Sequence, residues 1–368
     1  MTRLQELFTE HGQSPWLDNL TRRYLRDGTL ARFAADGIRG VTANPTIFAR
    51  AIEASDDYDE QFADLVRGGR TVADAYWELV VADVRDACAV LRPTFDASSG
   101  TDGFVSIEVA PEAAHDSAAT VGALEELHRR VAEPNAFVKI PATPEGVVAI
   151  RESVSAGHNV NVTLVFSLSR YAQVIDAYLA GLETFADAGG DPATVHSVAS
   201  FFVSRVDTEV DRRLDAVGTE EALQLRGHAA IAQAKLAYQL FRERFSDDRW
   251  RRLEQRGAHV QRPLWASTST KDPTARDTRY VDELIGPDTV TTLPEVTIAA
   301  FEDHGEVRRT LDTDVDVARE VLRRLGAVGI DMDAVGSTLE AEGISSFHES
   351  FQGVLRALDT KARQLAGH

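Results

Sequence analysis

The stretch Ala136-Phe-Val-Lys-Ile-Pro-Ala142 is a short apolar run with a single lysine at its centre, and Thr143-Pro-Glu145 follows it directly. The run has the length and the residue types of a buried β-strand. The threonine, proline and glutamate after it are residue types that cap and begin a helix. A strand followed by a helix is the repeating unit of folds that contain a parallel sheet.

Seven further β-rich runs share this pattern, and a stretch of helical period follows each of them. The runs are residues 15–19, 40–44, 104–109, 159–166, 197–203, 262–268 and 288–293. Eight strand–helix units in about 300 residues favour a closed barrel over an open doubly wound sheet. We therefore predict an α/β fold, a (β/α)8 TIM barrel.

Two connections in this pattern are longer than an ordinary loop. Residues 45–103 and 204–261 each contain two helical patterns, for example at 72–84 and 221–245, with apolar positions at i, i+3, i+4 and i+7. No segment rich in glycine, serine or proline separates them from the rest of the chain. We interpret both connections as helical excursions from the barrel.

The tail after the eighth strand, residues 312–368, is also helical in pattern. Within it, Phe347 and Phe351 lie one helical turn apart, so they are expected to pack together. They would pack either over the barrel mouth or elsewhere in the core. We expect a single domain over residues 1–368, with additional helices and a helical C-terminal tail packed on the barrel.

The composition limits the class of function. A formal net charge of −19, with basic pairs scattered among acidic residues, disfavours a nucleic-acid surface. The single cysteine, Cys88, permits no internal disulfide and no cysteine-based zinc site, which fits a reducing compartment. No apolar stretch approaches the length of about 18 residues that spans a membrane. We expect a cytoplasmic monomer or homodimer without nucleic-acid or membrane partners.

Lys139 is the residue of greatest functional interest, because it lies inside an apolar run. Burying a lysine ammonium is costly unless the group is paired or neutral, and a neutral lysine amine is a nucleophile. Lys139 is therefore a candidate for imine formation with a carbonyl substrate. The alternative is that its side chain points outward and carries its charge to the solvent.

Other polar residues follow the predicted strands at their carboxyl ends, where the active sites of such barrels lie. With Lys139, they are Asp18, Asn44, Glu108, Asn161, Thr163, Ser200, Arg205, Ser267, Lys271, Thr291 and Thr292. An amine, carboxylates, amides, hydroxyls and a basic pair suit carbonyl chemistry on a phosphorylated sugar. Asp18 and Asn44 are equally suited to cap a helix, whereas an unpaired Glu108 would be costly to bury.

Six segments carry a resemblance to a known family: Trp16-Leu-Asp-Asn19, Val41-Thr-Ala-Asn-Pro-Thr46, Val105-Ser-Ile-Glu-Val109, Val138-Lys-Ile-Pro-Ala-Thr143, Asn159-Val-Asn-Val-Thr-Leu-Val-Phe-Ser167 and Ser200-Phe-Phe-Val-Ser-Arg205. In this order they resemble transaldolases, the class I Schiff-base enzymes of the pentose phosphate pathway. The length of the chain and its long connections are similar to those of the larger transaldolases of actinobacteria and cyanobacteria.

The resemblance implies a role for each catalytic candidate. Lys139 attacks the ketose carbonyl and forms a protonated imine, which is an electron sink for cleavage of the C3–C4 bond. Asp18 matches the general base for the C4 hydroxyl proton. Glu108 and Thr163 match the pair that holds a water molecule and moves protons during imine formation.

The resemblance also implies how the substrate is held. Asn44 and Asn161 match the residues that hydrogen-bond the dihydroxyacetone unit. Ser200 and Arg205 match residues that bind the substrate and its phosphate. The further substrate-binding candidates are Phe202, Ser267 and Lys271, and the last departs from the family pattern, in which an arginine follows the seventh strand. Lysine lacks the guanidinium fork of arginine.

The implied substrates are sugar phosphates, and no cofactor or metal is implied. The donor is sedoheptulose 7-phosphate or fructose 6-phosphate, and the acceptor is glyceraldehyde 3-phosphate or erythrose 4-phosphate. One alternative is a fructose-6-phosphate aldolase, which releases free dihydroxyacetone. In that group a tyrosine stands at the position of Phe202, so Phe202 favours transfer.

Two other classes remain as alternatives. A non-catalytic scaffold is disfavoured, because Asp18, Glu108, Lys139 and Thr163 are all present. A metal-dependent aldolase is disfavoured, because the sequence has no HExxH motif and no compact cluster of histidine and aspartate.

Overall fold

The eight predicted strands form one closed, all-parallel barrel in chain order, β1-β2-β3-β4-β5-β6-β7-β8. A computed structural model describes residues 1–366. The strands are β1 Gln13–Leu17, β2 Val41–Thr42, β3 Val105–Glu108, β4 Ala136–Pro141, β5 Val160–Val165, β6 Ser197–Phe202, β7 Gln261–Ala266 and β8 Thr289–Leu293. The prediction of a (β/α)8 barrel is confirmed, and every strand lies within a few residues of its predicted position.

Helices connect the strands and surround the barrel. They are α1 Arg3–His11, α2 Arg22–Arg26, α3 Thr29–Ala35, α4 Pro45–Glu53, α5 Asp59–Arg67, α6 Val72–Ala97, α7 Ser117–Val131, α8 Pro144–Ser155, α9 Leu168–Asp187, α10 Ser204–Val217, α11 Glu220–Leu223, α12 Ala229–Arg244, α13 Asp248–Glu254, α14 Arg279–Asp282, α15 Glu295–His304, α16 Val315–Ala327 and α17 Met332–Ala366. Single 3₁₀ turns lie at Pro111–Ala113 and Pro192–Thr194.

The two long connections contain more helices than the sequence pattern indicated. The first holds α4, α5 and α6, and the second holds α10 to α13, so the expectation of two helices in each was wrong. Only residues 54–58 separate α4 from α5. Helical period is recognised over windows of about 11–18 residues, so such a short break does not appear in the apolar pattern. Helix α11 has only four residues and shows no period at all.

Alternation along the strands divides the barrel interior into an apolar layer and a polar layer. Trp16 and Phe137, whose ring centroids are 6.2 Å apart, lie two residues before Asp18 and Lys139. Because residues two apart on a strand share a face, the aromatic layer supports a polar layer at the carboxyl ends. Gly40 gives Trp16 its space, since a Cβ at Gly40 would lie 2.4 Å from the indole.

Helix α17 lies against the carboxyl end of the barrel. Near its middle, Gly343 approaches Leu164 of β5 and Arg205 of α10. Further along, Phe351 packs on α6, with its ring centroid 5.3 Å from that of Tyr76 and 6.1 Å from that of Trp77. None of the helices within residues 1–366 is long and apolar enough to cross a membrane.

Candidate active site

Lys139 points into the barrel, next to a carboxylate. Its position on β4 pairs with Glu108 on β3 and with Asn161 on β5. Its Nζ lies 3.1 Å from Glu108 Oε2 and donates a hydrogen bond of 3.4 Å to the carbonyl of Ala43. The residue is only 5% exposed, so the alternative in which its ammonium reaches the solvent is wrong.

Glu108 is a buried carboxylate with an incomplete set of partners. Among residues 1–366, its Oε2 accepts no hydrogen bond of good geometry, although Lys139 is within ion-pair distance. Burial raises the pKa of Glu108, while the nearby charge of Lys139 opposes this shift and the charge of Asp18 adds to it. A carboxyl group that protonates more readily than usual is suited to exchange protons with a neighbouring amine.

Asp18 follows β1 and does not cap a helix. Its backbone N–H donates to the carbonyl of Leu293, and Thr21 caps α2 instead. The hydroxyl of Thr42 donates to Asp18 Oδ1 at 2.9 Å, and Thr292 lies 2.7 Å from the same hydroxyl. Burial raises the pKa of Asp18, and Lys139, the Thr42 hydrogen bond and Arg205 oppose the shift. The helix-cap alternative is therefore wrong for Asp18.

Asn44 is the helix cap that its sequence position suggested. It caps α4, because its Oδ1 accepts a hydrogen bond of 3.0 Å from the backbone N–H of Ile47. The cap uses only the carbonyl oxygen of the amide. Within residues 1–366 the Asn44 amide nitrogen has no hydrogen-bond partner, so it can donate to a ligand at the barrel mouth.

Asn161 is held in a fixed orientation by two serines. Its Nδ2 donates to Ser106 Oγ at 3.0 Å, and its Oδ1 accepts from Ser200 Oγ at 2.8 Å. All three side chains are buried. One amide hydrogen of Asn161 remains, and Thr163 Oγ1 is buried with no hydrogen-bond partner in the described chain. Buried polar groups without partners are expected to meet a ligand or water.

Arg205 is a half-buried cation that has no hydrogen-bond or ion-pair partner in residues 1–366. Burial lowers the pKa of its guanidinium, and the charges of Asp18, Glu342 and Glu108 oppose the shift. The guanidinium lies 5.5 Å from the centroid of the Phe202 ring, which orients it by a cation–π contact. A desolvated guanidinium with free donors is a suitable partner for an anion.

Ser267 and Lys271 follow β7 and differ in their surroundings. Ser267 has a left-handed φ of 59° and shares a hydrogen bond of 2.8 Å with Ser204, so it ties β7 to the start of α10. Lys271 is exposed, and it makes no hydrogen bond or ion pair with any described residue. The structure therefore brings the other predicted residues to the strand ends and leaves Lys271 outside the cluster.

Sequence reasoning missed the supporting hydroxyls of Thr42 and Ser106. Ser106 could have been found from the strand pattern, because it lies two residues before Glu108 and therefore shares its face of β3. Four of the histidines form two stacked pairs, with ring centroids 4.7 Å apart for His128 and His158 and 4.4 Å apart for His196 and His259. Over the described part of the chain, no group of three or more metal-ligating side chains is placed to hold a metal ion.

The fold and this cluster define the class of protein as a (β/α)8-barrel enzyme with a lysine–carboxylate pair at the carboxyl ends of its strands. The family model described as Transaldolase/Fructose-6-phosphate aldolase matches residues 15–358. The chain is 50% identical to a transaldolase of Frankia alni, over 96% of this chain and 95% of that protein. It is 49% identical to a transaldolase of Thermobifida fusca, over 99% of both chains.

A third relative, transaldolase 2 of Streptomyces coelicolor, is 47% identical over 100% of this chain and 99% of that protein. The chain therefore belongs to the transaldolase/fructose-6-phosphate aldolase family. The resemblance to transaldolases and the expectation of a transferase are confirmed.

Proposed function

We propose that this enzyme transfers a dihydroxyacetone unit from a ketose phosphate to an aldose phosphate, and that Lys139 carries the unit as an imine. The observation that carries the proposal is the 3.1 Å separation of Lys139 Nζ and Glu108 Oε2 inside the barrel. The carboxylate can take a proton from the ammonium and leave the neutral amine that attacks a carbonyl.

In the first step, the Lys139 amine adds to the C2 carbonyl of the ketose, and the carbonyl oxygen gains a proton. The resulting carbinolamine loses that oxygen as water, and a protonated imine remains. Glu108 supplies and removes the protons, because its carboxylate lies 3.1 Å from the amine and its pKa is raised by burial. Thr163 contributes the buried hydroxyl that is left without a partner.

In the second step, Asp18 removes the proton of the C4 hydroxyl. The C4–O bond becomes a carbonyl, the C3–C4 bond breaks, and its electron pair moves into the imine to give an enamine. The aldose phosphate then leaves. Addition of an acceptor aldose reverses these changes, and Asp18 returns the proton. Thr42 keeps the carboxylate of Asp18 oriented through its hydrogen bond.

The substrate is held at both ends. The amides of Asn44 and Asn161, with Ser200, are available to the hydroxyls of the dihydroxyacetone unit. Arg205 is available to the phosphate, because it is desolvated and has no partner in residues 1–366. Ser267 supports this end through Ser204. Lys271 is exposed and makes no hydrogen bond or ion pair with any residue of 1–366, so we leave it out of the proposed phosphate site.

Phe202 favours transfer over release of free dihydroxyacetone. Phenylalanine has no hydroxyl group, so it offers no proton to the enamine. Its ring lies 5.0 Å from that of Phe166 and beneath the guanidinium of Arg205. With fructose 6-phosphate alone, we expect little free dihydroxyacetone, and rapid turnover once erythrose 4-phosphate is added. Rapid release without an acceptor would favour the aldolase alternative.

Borohydride reduction in the presence of fructose 6-phosphate tests the imine directly. Mass spectrometry of the wild type is expected to find a dihydroxyacetone adduct on Lys139, and no adduct in Lys139→Ala. An exposed lysine gives the control, since Lys271→Ala should keep the adduct. A folded wild type without an adduct would favour the scaffold alternative.

A further inference from the structure

Helix α17 approaches the barrel mouth most closely at Gly343. A Cβ placed on Gly343 would lie 2.9 Å from Leu164 Cδ2 and 3.7 Å from Arg205 Nη1. The first distance is shorter than a carbon–carbon contact of about 3.5–4.0 Å allows, so a side chain there would displace either Leu164 or the helix. Gly343 therefore sets how near α17 can lie to the end of β5.

Leu164 has little freedom to move aside. It is 1% exposed, so its terminal methyl groups have little empty space to move into. Its left-handed φ of 57° fixes the direction in which the side chain leaves the backbone. The pairing of β5 with β6 shifts register between Val162 and Val165, so Leu164 lies in a bulge that turns it toward α17. The residue before it is Thr163, whose hydroxyl lies in the candidate active site. A methyl group on Gly343 is therefore expected to lift the helix.

Lifting the helix changes the surroundings of Arg205. The guanidinium is half-buried and lacks a direct partner in residues 1–366, and α17 supplies part of its cover at Gly343. With α17 in place, the donors of Arg205 lie in a partly desolvated space, where a charge-assisted hydrogen bond to an anion is strong. The distance of α17 from the carboxyl end of the barrel thus controls the size and the hydration of the space around Arg205.

We propose that Gly343 is a specificity-determining residue, whose missing side chain lets α17 enclose the phosphate end of the substrate against Arg205. The proposal rests on the proposed function, and it adds a residue that determines how tightly the phosphate end of the substrate is held. Glycine inside a helix is less favourable than alanine, so helix stability does not account for a glycine here.

Helix α17 also contains a matched control. Gly353 lies in the same helix, and a Cβ placed on it would meet no atom within 4 Å. Gly343→Ala and Gly353→Ala therefore make the same change in backbone freedom. Only the first introduces a contact at the barrel mouth. A third variant, Leu164→Ala with Gly343→Ala, removes the atoms that the new methyl group would meet.

The experiment measures inorganic phosphate as an inhibitor that competes with fructose 6-phosphate, and also its binding by thermal shift, which needs no turnover. We expect Gly343→Ala to weaken phosphate binding about tenfold and to raise the KM for fructose 6-phosphate by a similar factor. The double variant should recover most of the affinity, and Gly353→Ala should equal the wild type. The borohydride-trapped adduct of phosphate-free dihydroxyacetone on Lys139 should form at a rate within about twofold of the wild type in all of them.

Unchanged phosphate affinity in Gly343→Ala would overturn the proposal. So would a parallel loss of the dihydroxyacetone adduct, because the substitution would then disturb the whole site, and so would a double variant without recovery. A wild type that forms no adduct would instead overturn the proposed function, while the phosphate affinities of the variants would still decide the role of Gly343.

Discussion

Glu108 and Lys139 occupy paired positions on neighbouring strands, and their charged groups are 3.1 Å apart with side chains that are 5% and 6% exposed. Such a buried ion pair adds little stability by itself, because desolvation of both charges offsets their attraction. Its placement at the end of the barrel interior is therefore better explained by chemistry. The pair provides a nucleophile and a proton acceptor at one point, away from bulk water.

Glu108→Gln preserves the shape of the side chain and removes its ability to exchange protons. We expect the rate of adduct formation on Lys139 with fructose 6-phosphate and borohydride to fall by about 10²- to 10⁴-fold, the usual contribution of a general acid–base group. The control is Glu152→Gln on the exposed surface of α8, which should have no effect. An undiminished rate would exclude Glu108 from imine formation.

Asp18→Asn should lower activity and raise stability at neutral pH. Folding raises the pKa of Asp18, so the folded protein holds the carboxyl proton more tightly than the unfolded chain does. The stability that this provides is complete below the pKa of the unfolded state, and it is lost as the pH rises through the pKa of the folded state. Asparagine avoids the buried charge and can still accept the Thr42 hydrogen bond. We expect turnover to fall by about 10²- to 10⁴-fold, and Tm at pH 7 to rise by roughly 2 °C.

The pH dependence separates this explanation from a general effect on packing. The Tm difference between Asp18→Asn and the wild type should shrink as pH falls toward the ordinary aspartate pKa of about 3.9, where the wild-type carboxyl group is protonated. A variant that is less stable than the wild type at pH 7 would mean that attraction to Lys139 and Arg205 outweighs the cost of burial.

Arg205→Met should separate phosphate binding from imine chemistry. Loss of a charge-assisted hydrogen bond is worth about 1.5–3 kcal/mol, so we expect the KM for fructose 6-phosphate to rise by about 10- to 100-fold. The dihydroxyacetone adduct on Lys139 should form as in the wild type. Lys271→Met is the comparison, and its exposed position predicts a change below about twofold. A large effect there would bring Lys271 into the site.

The strands and most residues of the candidate site could be predicted because both depend on local pattern. A strand of a parallel barrel is buried on both faces and appears as an apolar run, so a lysine or glutamate within it is conspicuous. The approach of Gly343 to Leu164 could not be predicted in this way, since it joins residues far apart in the chain and depends on where α17 crosses the barrel.

The opposite end of the barrel contains a second buried charge cluster, centred on Asp102. This carboxylate is 1% exposed and accepts hydrogen bonds from Ser14, from Trp16 Nε1 at 3.0 Å and from Arg39 Nε at 2.7 Å. A guanidinium nitrogen of Arg262 lies 3.5 Å away. Two half-buried guanidinium groups therefore share one carboxylate, and this cluster lies at the end remote from Lys139.

Asp102→Asn should consequently destabilise the fold without changing the chemistry. The neutral amide leaves two guanidinium groups without their counter-charge, and breaking a buried pair in this way costs about 3 kcal/mol. We expect the urea midpoint to fall at an unchanged m-value, while the KM and phosphate inhibition of the folded enzyme stay at wild-type values. Asp96→Asn, which removes an exposed partner of Arg92, should cost less than about 0.5 kcal/mol. A raised KM in Asp102→Asn would instead mean that the aromatic layer above Asp102 transmits the change to the polar layer.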